Sequence, residues 1–148
     1  LIPSPKVTTY DKIPQMSAHK ITKEALKRIK TEKYALIIVN FANADMVGHT
    51  GNLGATVKAV QTLDKCIAQI VETAQKKHDS TIITADHGNA EKKLYPDGSI
   101  CTAHTTNKVP FILIVGEKEV ADVTVTIRSR HEVKQKTVKL GQLAALFD

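Results

Sequence analysis

The chain has 148 residues, 42% hydrophobic and 24% charged, with a formal net charge of +6; these values suit one globular domain with its own core. No apolar run approaches bilayer length, and the opening LIPSPKVTTY has neither the charged nor the apolar block of a signal peptide. Scattered basic residues, three Phe, three Tyr and no Trp point to a solvated basic surface or attraction to a small anion, not to nucleic acid. Two cysteines, Cys66 and Cys101, make no disulfide framework and suit a reducing compartment. With no initiator Met, the chain reads as a fragment or a processed product.

In chain order, the first sixteen residues hold three prolines and are expected to be extended or looped. Ser17 is placed as the N-cap of a helix over AHKITKEALKRIK, with Ile21, Ala25 and Ile29 along one face. Residues 34–41 (YALIIVNF) form a continuous apolar run, expected to be a strand covered on both faces. The three-glycine segment ANADMVGHTGNLG reads as a functional loop. A long helix is expected over 55–77, with Val57, Val60, Leu63, Ile67, Ile70, Val71 and Ala74 as its core stripe. Residues 81–85 (TIITA) and 110–115 (PFILIV) are expected strands, separated by a hairpin over 94–101 whose turn signal is PDG. A half-exposed strand over 123–127 and the start of a final helix over 140–148 complete the reading.

Strand, loop, long helix, strand is a right-handed βαβ unit by the usual rule. In open α/β sheets, ligands bind beyond the carboxyl ends of the strands. Asp45 and His49 (in NADMVGH) and Asp86 and His87 (in TADHGN) therefore fall at one sheet edge. Asp45 and His49 are one helical turn apart, so both face one point if the loop coils there; alone, such a spacing arises readily by chance. Asp86 and His87 reach one point only where the strand has broken, which Gly88 permits; the plainer alternative is a polar strand cap. His104, in TAHTTN, is the natural fifth member, whereas His19, His78 and His131 read as surface residues. Carboxylate with imidazole holds borderline divalent ions, and two Asp/His pairs plus a His begin a two-metal phosphoryl-transfer site without completing it. No nucleophile elbow, Walker loop or Cys-x-x-Cys is present, and no serine has a motif that nominates it.

The stretches SPKVTTYDKIPQMSA, NFANADMVGHTGN, ITADHGNAE and DGSICTAHTTNKVPF together resemble the cofactor-independent (2,3-bisphosphoglycerate-independent) phosphoglycerate mutases. The resemblance is to the C-terminal part of their phosphatase-like domain and covers residues 1–115 before weakening. It implies an α/β, three-layer sandwich of the alkaline phosphatase type with a mostly parallel sheet, of which residues 1–148 form only the C-terminal part. It further implies interconversion of 3-phosphoglycerate and 2-phosphoglycerate through a phosphoserine, in glycolysis and gluconeogenesis, in the cytoplasm. By residue match, Asp45, His49 and His104 would hold a first Mn²⁺ or Mg²⁺, and Asp86 and His87 a second. The family's nucleophilic serine, a further Asp ligand and the inserted transferase domain have no counterpart here, so the isolated chain is expected to be inactive and to need the remainder of the mutase chain. The alternatives are a natural truncated paralogue serving as a non-catalytic structural or interaction subunit, and another metal-dependent phosphatase or phosphomutase of the superfamily. The SPKVTTYD and MSA segments disfavour the latter.

Overall fold

The computed structural model describes residues 1–115 and the strand segments Thr124–Arg128 and Gln135–Lys139. A single 3₁₀ turn at Tyr10–Lys12 interrupts the irregular opening, and α1 (Ala18–Thr31) follows. Ala18, Thr22, Ala25 and Ile29 recur at helical spacing and form its buried face. Ser17 occupies the N-cap position, but its hydroxyl donates to the Pro3 carbonyl at 2.7 Å instead of capping the helix. It ties the opening segment to the start of α1. Within the loop expected over 42–54, residues Asn43–Gly48 coil into a short helix, α2. Next comes α3 (Leu53–Gln75), capped by Asn52, whose side-chain oxygen accepts from the Ala55 N–H at 3.0 Å.

The core lies where α2 and α3 meet: Val47, Ala55 and Ala59, with Tyr10 and Met16 packed against them. The buried face of α3 is built from small residues, Ala55, Thr56, Ala59, Cys66 and Ala74. Small side chains let the backbones approach closely; of the expected stripe, Leu63, Ile67, Ile70 and Val71 are half-buried beside them. Of that stripe Ala74 is buried, while Val57 and Val60 are exposed. The helix therefore carries a second, uncovered apolar edge, which Leu53 extends.

Strand β1 (Thr81–Thr84) pairs antiparallel with β2 (Phe111–Ile114), Thr81 opposite Ile114 and Thr84 opposite Phe111. Residues 34–41 form no strand, which corrects the expected two-sided burial there: Leu36 is 75% and Ile38 84% exposed. A strand exists only where a neighbour takes up its backbone N–H and C=O groups, and among the described residues none does. With that strand unpaired the βαβ unit is not formed, and the expected mostly parallel sheet gives way to antiparallel pairs. Between β1 and β2 the chain doubles back at the PDG turn as expected: Leu94 bridges Ile100, and Gly98, at φ +81°, donates to Tyr95. Strand β3 (Thr124–Arg128) matches the expected strand within a residue and pairs antiparallel with β4 (Gln135–Lys139), which the sequence reading missed. Val123, His131 and the helix expected over 140–148 lie outside the described residues.

Because Ala59 is fully buried against Val47, Ala59→Leu is expected to lower stability by about 1–3 kcal/mol through overpacking. Val60→Leu, on the exposed edge, is expected to change it by less than about 0.5 kcal/mol. Urea unfolding midpoints of the two variants check the contrast.

Candidate metal centre

Helix α2 sets the first pair of ligand-type residues. Asp45 lies in its first turn and His49 caps its C-terminus, so the four-residue spacing brings His49 Nε2 to 3.1 Å from Asp45 Oδ1. Val47, between them, points into the core and fixes which face of the helix turns outward. His49 Nδ1 lies 2.6 Å from the Thr102 carbonyl. A carbonyl only accepts, so Nδ1 carries the proton and the Nε2 of the neutral ring presents a lone pair.

The other two histidines meet through a backbone pairing beyond the end of β1. Gly88 bridges Thr105, whose N–H donates to the Gly88 carbonyl at 2.9 Å. His87 and His104 immediately precede the paired residues, and their rings stack with centroids 3.8 Å apart. Glu91 clips the same loops together. Its carboxylate accepts from the Thr105 hydroxyl, from the Asn107 amide at 3.0 Å and from the Asn89 N–H at 2.7 Å. A Cβ on Gly88 would meet the Thr105 hydroxyl and the Glu91 carboxylate, so a larger residue there would push those side chains aside.

The result is a convergence of ligand-type atoms. His104 Nε2 lies 3.1 Å from Asp45 Oδ1 and 3.0 Å from His49 Nε2, closing a triangle with the 3.1 Å Asp45–His49 contact. Metal–ligand bonds of about 2.1 Å meeting at right angles put ligand atoms about 3.0 Å apart. The triangle has that dimension, and its donor set of one carboxylate and two imidazoles suits a borderline divalent cation. Asp45, His87 and His104 also offer ligand atoms within 4.8 Å of one another, so His87 joins the group from the side of its stacked partner. Asp86 does not: its side chain is 82% exposed and meets only the neighbouring ring, with Oδ2 3.7 Å from His87 Nε2.

Four of the five motif residues are thus brought together, and the fifth stands at the rim. His19 and His78 are exposed, as expected. Cys66 and Cys101 are free and buried. The sequence reading missed the polar residues that support the cluster. Asn89 donates to Asp45 Oδ1 at 2.7 Å, Lys93 reaches Asn89, and Glu91 holds the loops. Asn89 and Glu91 were open to suspicion from their place in DHGNAE, but Lys93, in a Lys-Lys pair, carries no sequence sign of burial. Thr105, beside His104, is occupied with Glu91 and is not a free hydroxyl.

A cluster of carboxylate and imidazole acceptors where two loops meet beyond a sheet edge is the mark of a metal-dependent enzyme. The sequence pattern of the Metalloenzyme superfamily matches residues 1–146, and the chain belongs to that superfamily. Within it, the chain is homologous to part of the 2,3-bisphosphoglycerate-independent phosphoglycerate mutases. It is 58% identical over 118 residues to that of Thermosynechococcus vestitus and 52% identical over 118 residues to that of Clostridium novyi. These alignments cover 80% and 79% of this chain but 22% and 23% of the relatives, so the chain spans about a fifth of the length of the curated relatives it matches. A crystal structure of Leishmania mexicana phosphoglycerate mutase at low cobalt concentration matches with a TM-score of 0.71 at 31% identity, over 78% of this chain and 23% of that one. The described fold is therefore similar to part of the mutase fold. Among the described residues no helix is long and apolar enough to cross a membrane.

Two predictions follow from the loop geometry. Gly88→Ala is expected to displace the Glu91 carboxylate from the Thr105 hydroxyl, read as chemical-shift changes at Thr105 and at the Asn107 side-chain amide. The Thr105 hydroxyl, helped by Asn107 and the Asn89 N–H, holds the Glu91 carboxyl below its ordinary value of 4.5. A carboxyl depressed in the folded state contributes stability above its unfolded value and loses it as pH falls through the folded value. The stability gap between the wild type and Glu91→Gln is therefore expected to narrow on acidification below the ordinary glutamate range, measured by denaturant titration at a series of pH values.

Proposed function

We propose that this chain is the C-terminal, metal-binding part of the phosphatase-like domain of a 2,3-bisphosphoglycerate-independent phosphoglycerate mutase. The observation that carries the reading is the triangle of Asp45 Oδ1, His49 Nε2 and His104 Nε2, three ligand-type atoms at ligand spacing with the His49 tautomer set by the Thr102 carbonyl. In this reading Asp45, His49 and His104 hold the first Mn²⁺ or Mg²⁺, and Asp86 and His87 contribute to the second. The exposure of Asp86 suits a ligand whose further partners come from other sequence.

The reaction is phosphoryl transfer that interconverts 3-phosphoglycerate and 2-phosphoglycerate through a phosphoserine. Divalent ions would neutralise charge on the transferring group and lower the pKa of the serine. The residues of this chain hold and orient. Asp45 supplies the anionic ligand, His49 keeps its Nε2 lone pair inward, and the Gly88–Thr105 pairing keeps the His87 and His104 rings together. Serine hydroxyls that form hydrogen bonds are engaged elsewhere, Ser17 with Pro3 and Ser99 with Asp97. In our reading the nucleophile and most of the substrate grip come from the remainder of the mutase, and the complete domain is a three-layer sandwich whose mostly parallel sheet takes in residues 34–41. The exposed Leu36, Ile38, Leu53, Val57 and Val60 support a covering of that kind. The place in glycolysis and gluconeogenesis, and with it the cytoplasm, comes from the same reading.

The test is a Mn²⁺ titration of the 148-residue chain beside a mutase assay. The chain is expected to bind Mn²⁺ and to turn over no 3-phosphoglycerate. Asp45→Ala or His104→Ala is expected to weaken Mn²⁺ binding by more than about 100-fold, since outer-shell changes alone cost about 10–100-fold. Mn²⁺ affinity untouched by either substitution would remove the first site. Mutase turnover by the chain alone would contradict the division of labour.

A further inference from the structure

Lys93 presents a problem of charge. Its side chain is buried, the residue only 7% exposed, and among the described residues it forms no ion pair. Taking an ammonium out of water without a counter-ion is costly unless its protons are well placed. Its Nζ donates to the Gly48 carbonyl at 2.9 Å and to Asn89 Oδ1. Gly48 ends α2, where carbonyls lack helical partners and carry the negative end of the helix dipole. A six-residue helix does not hold itself together in water, so a cation at this end steadies the element that carries Asp45 and His49.

The second contact reaches the ligand itself. Asn89 is 3% exposed, and its Nδ2 donates to Asp45 Oδ1 at 2.7 Å and to the Asp45 carbonyl at 3.3 Å. An ammonium offers only donors, so the amide oxygen of Asn89 must face Lys93 and its NH₂ must face Asp45. The opposite orientation would set an amide oxygen against a carboxylate. Gly48 makes room for the arrangement. A Cβ there would stand 2.5 Å from Asn89 Oδ1 and 3.2 Å from Lys93 Nζ.

We propose that Lys93 is a positioning residue for the metal centre, fixing the Asn89 amide so that it holds Asp45 Oδ1 toward His49 and His104. The inference rests on reading Asp45 as a metal ligand. Lys93 touches no cluster atom and acts through Asn89 and the end of α2.

The test compares Mn²⁺ affinity, by electron paramagnetic resonance of the free ion, in the 148-residue chain and in Lys93→Met, Asn89→Ala and the double variant. Unfolding midpoints of the metal-free proteins report the fold separately. Lys93→Met is expected to bind Mn²⁺ about 10–100-fold more weakly. The double variant is expected to match Asn89→Ala alone, because groups acting in series are not additive. A merely structural lysine would lower the midpoint and leave the affinity of the folded protein alone. Wild-type affinity in Lys93→Met, or losses that multiply in the double variant, would overturn the proposal. If Lys93→Met does not fold, Asn89→Ala decides, with unchanged affinity overturning the relay. Failure of the wild type itself to bind Mn²⁺ is a different result: it removes the metal reading and this inference with it.

Discussion

One carboxylate oxygen and two ring nitrogens, Asp45 Oδ1, His49 Nε2 and His104 Nε2, lie 3.0–3.1 Å from one another. Lone pairs do not gather at that distance without something positive among them, a proton or a cation. The surrounding structure works to keep them there. Helix α2 sets the Asp45–His49 spacing, the Thr102 carbonyl turns His49, and the Gly88–Thr105 pairing carries His104 into place. Asn89 then holds the same carboxylate oxygen through its amide. Apart from α2, which Val47 anchors to the core, each of these is a polar contact between segments that the fold brings together.

The sheet end is a different case. Leu36, Ile38, Ile82, Phe111 and the Val57–Val60 edge of α3 are exposed, and among the described residues β1 has only β2 beside it. Apolar surface left in water costs about 25 cal/mol for each Å² that burial would otherwise remove, and a two-stranded sheet is marginal by itself. The molecule therefore divides into a polar cluster of ligand-type residues anchored through α2 to the core and an apolar flank suited to being covered. In our reading, which follows that contrast, a metal sits at the cluster and turnover needs further sequence.

The residues of the cluster were legible because their chemistry is local. Asp45 and His49 declare their relation through a four-residue spacing, and Gly88 announces the bend after Asp86 and His87. Helix α1 and the PDG turn were legible for the same reason. What the sequence hid depends on neighbours. Residues 34–41 have the composition of a buried strand, yet a strand is a property of a pair. The valines of α3 fit a core stripe as well as its alanines do, and only the close approach of α2 at Val47 shows that the small residues face inward. Lys93 was invisible because burial of a lysine is decided by a carbonyl 45 residues away. The antiparallel pairing of β1 with β2 likewise followed from which strands were available.

The most direct measurement is long-range ¹H–¹⁵N correlation NMR of the histidine rings, before and after Zn²⁺ is added as a diamagnetic probe. The account expects His49 in the Nδ1–H tautomer throughout. It expects the Nε2 resonances of His49 and His104 to shift together on saturation, while those of His19 and His78 stay in place. A His49 ring protonated on Nε2 alone, or a Zn²⁺ titration that leaves His49 and His104 unmoved, would contradict the claim that these acceptors are gathered for a metal ion.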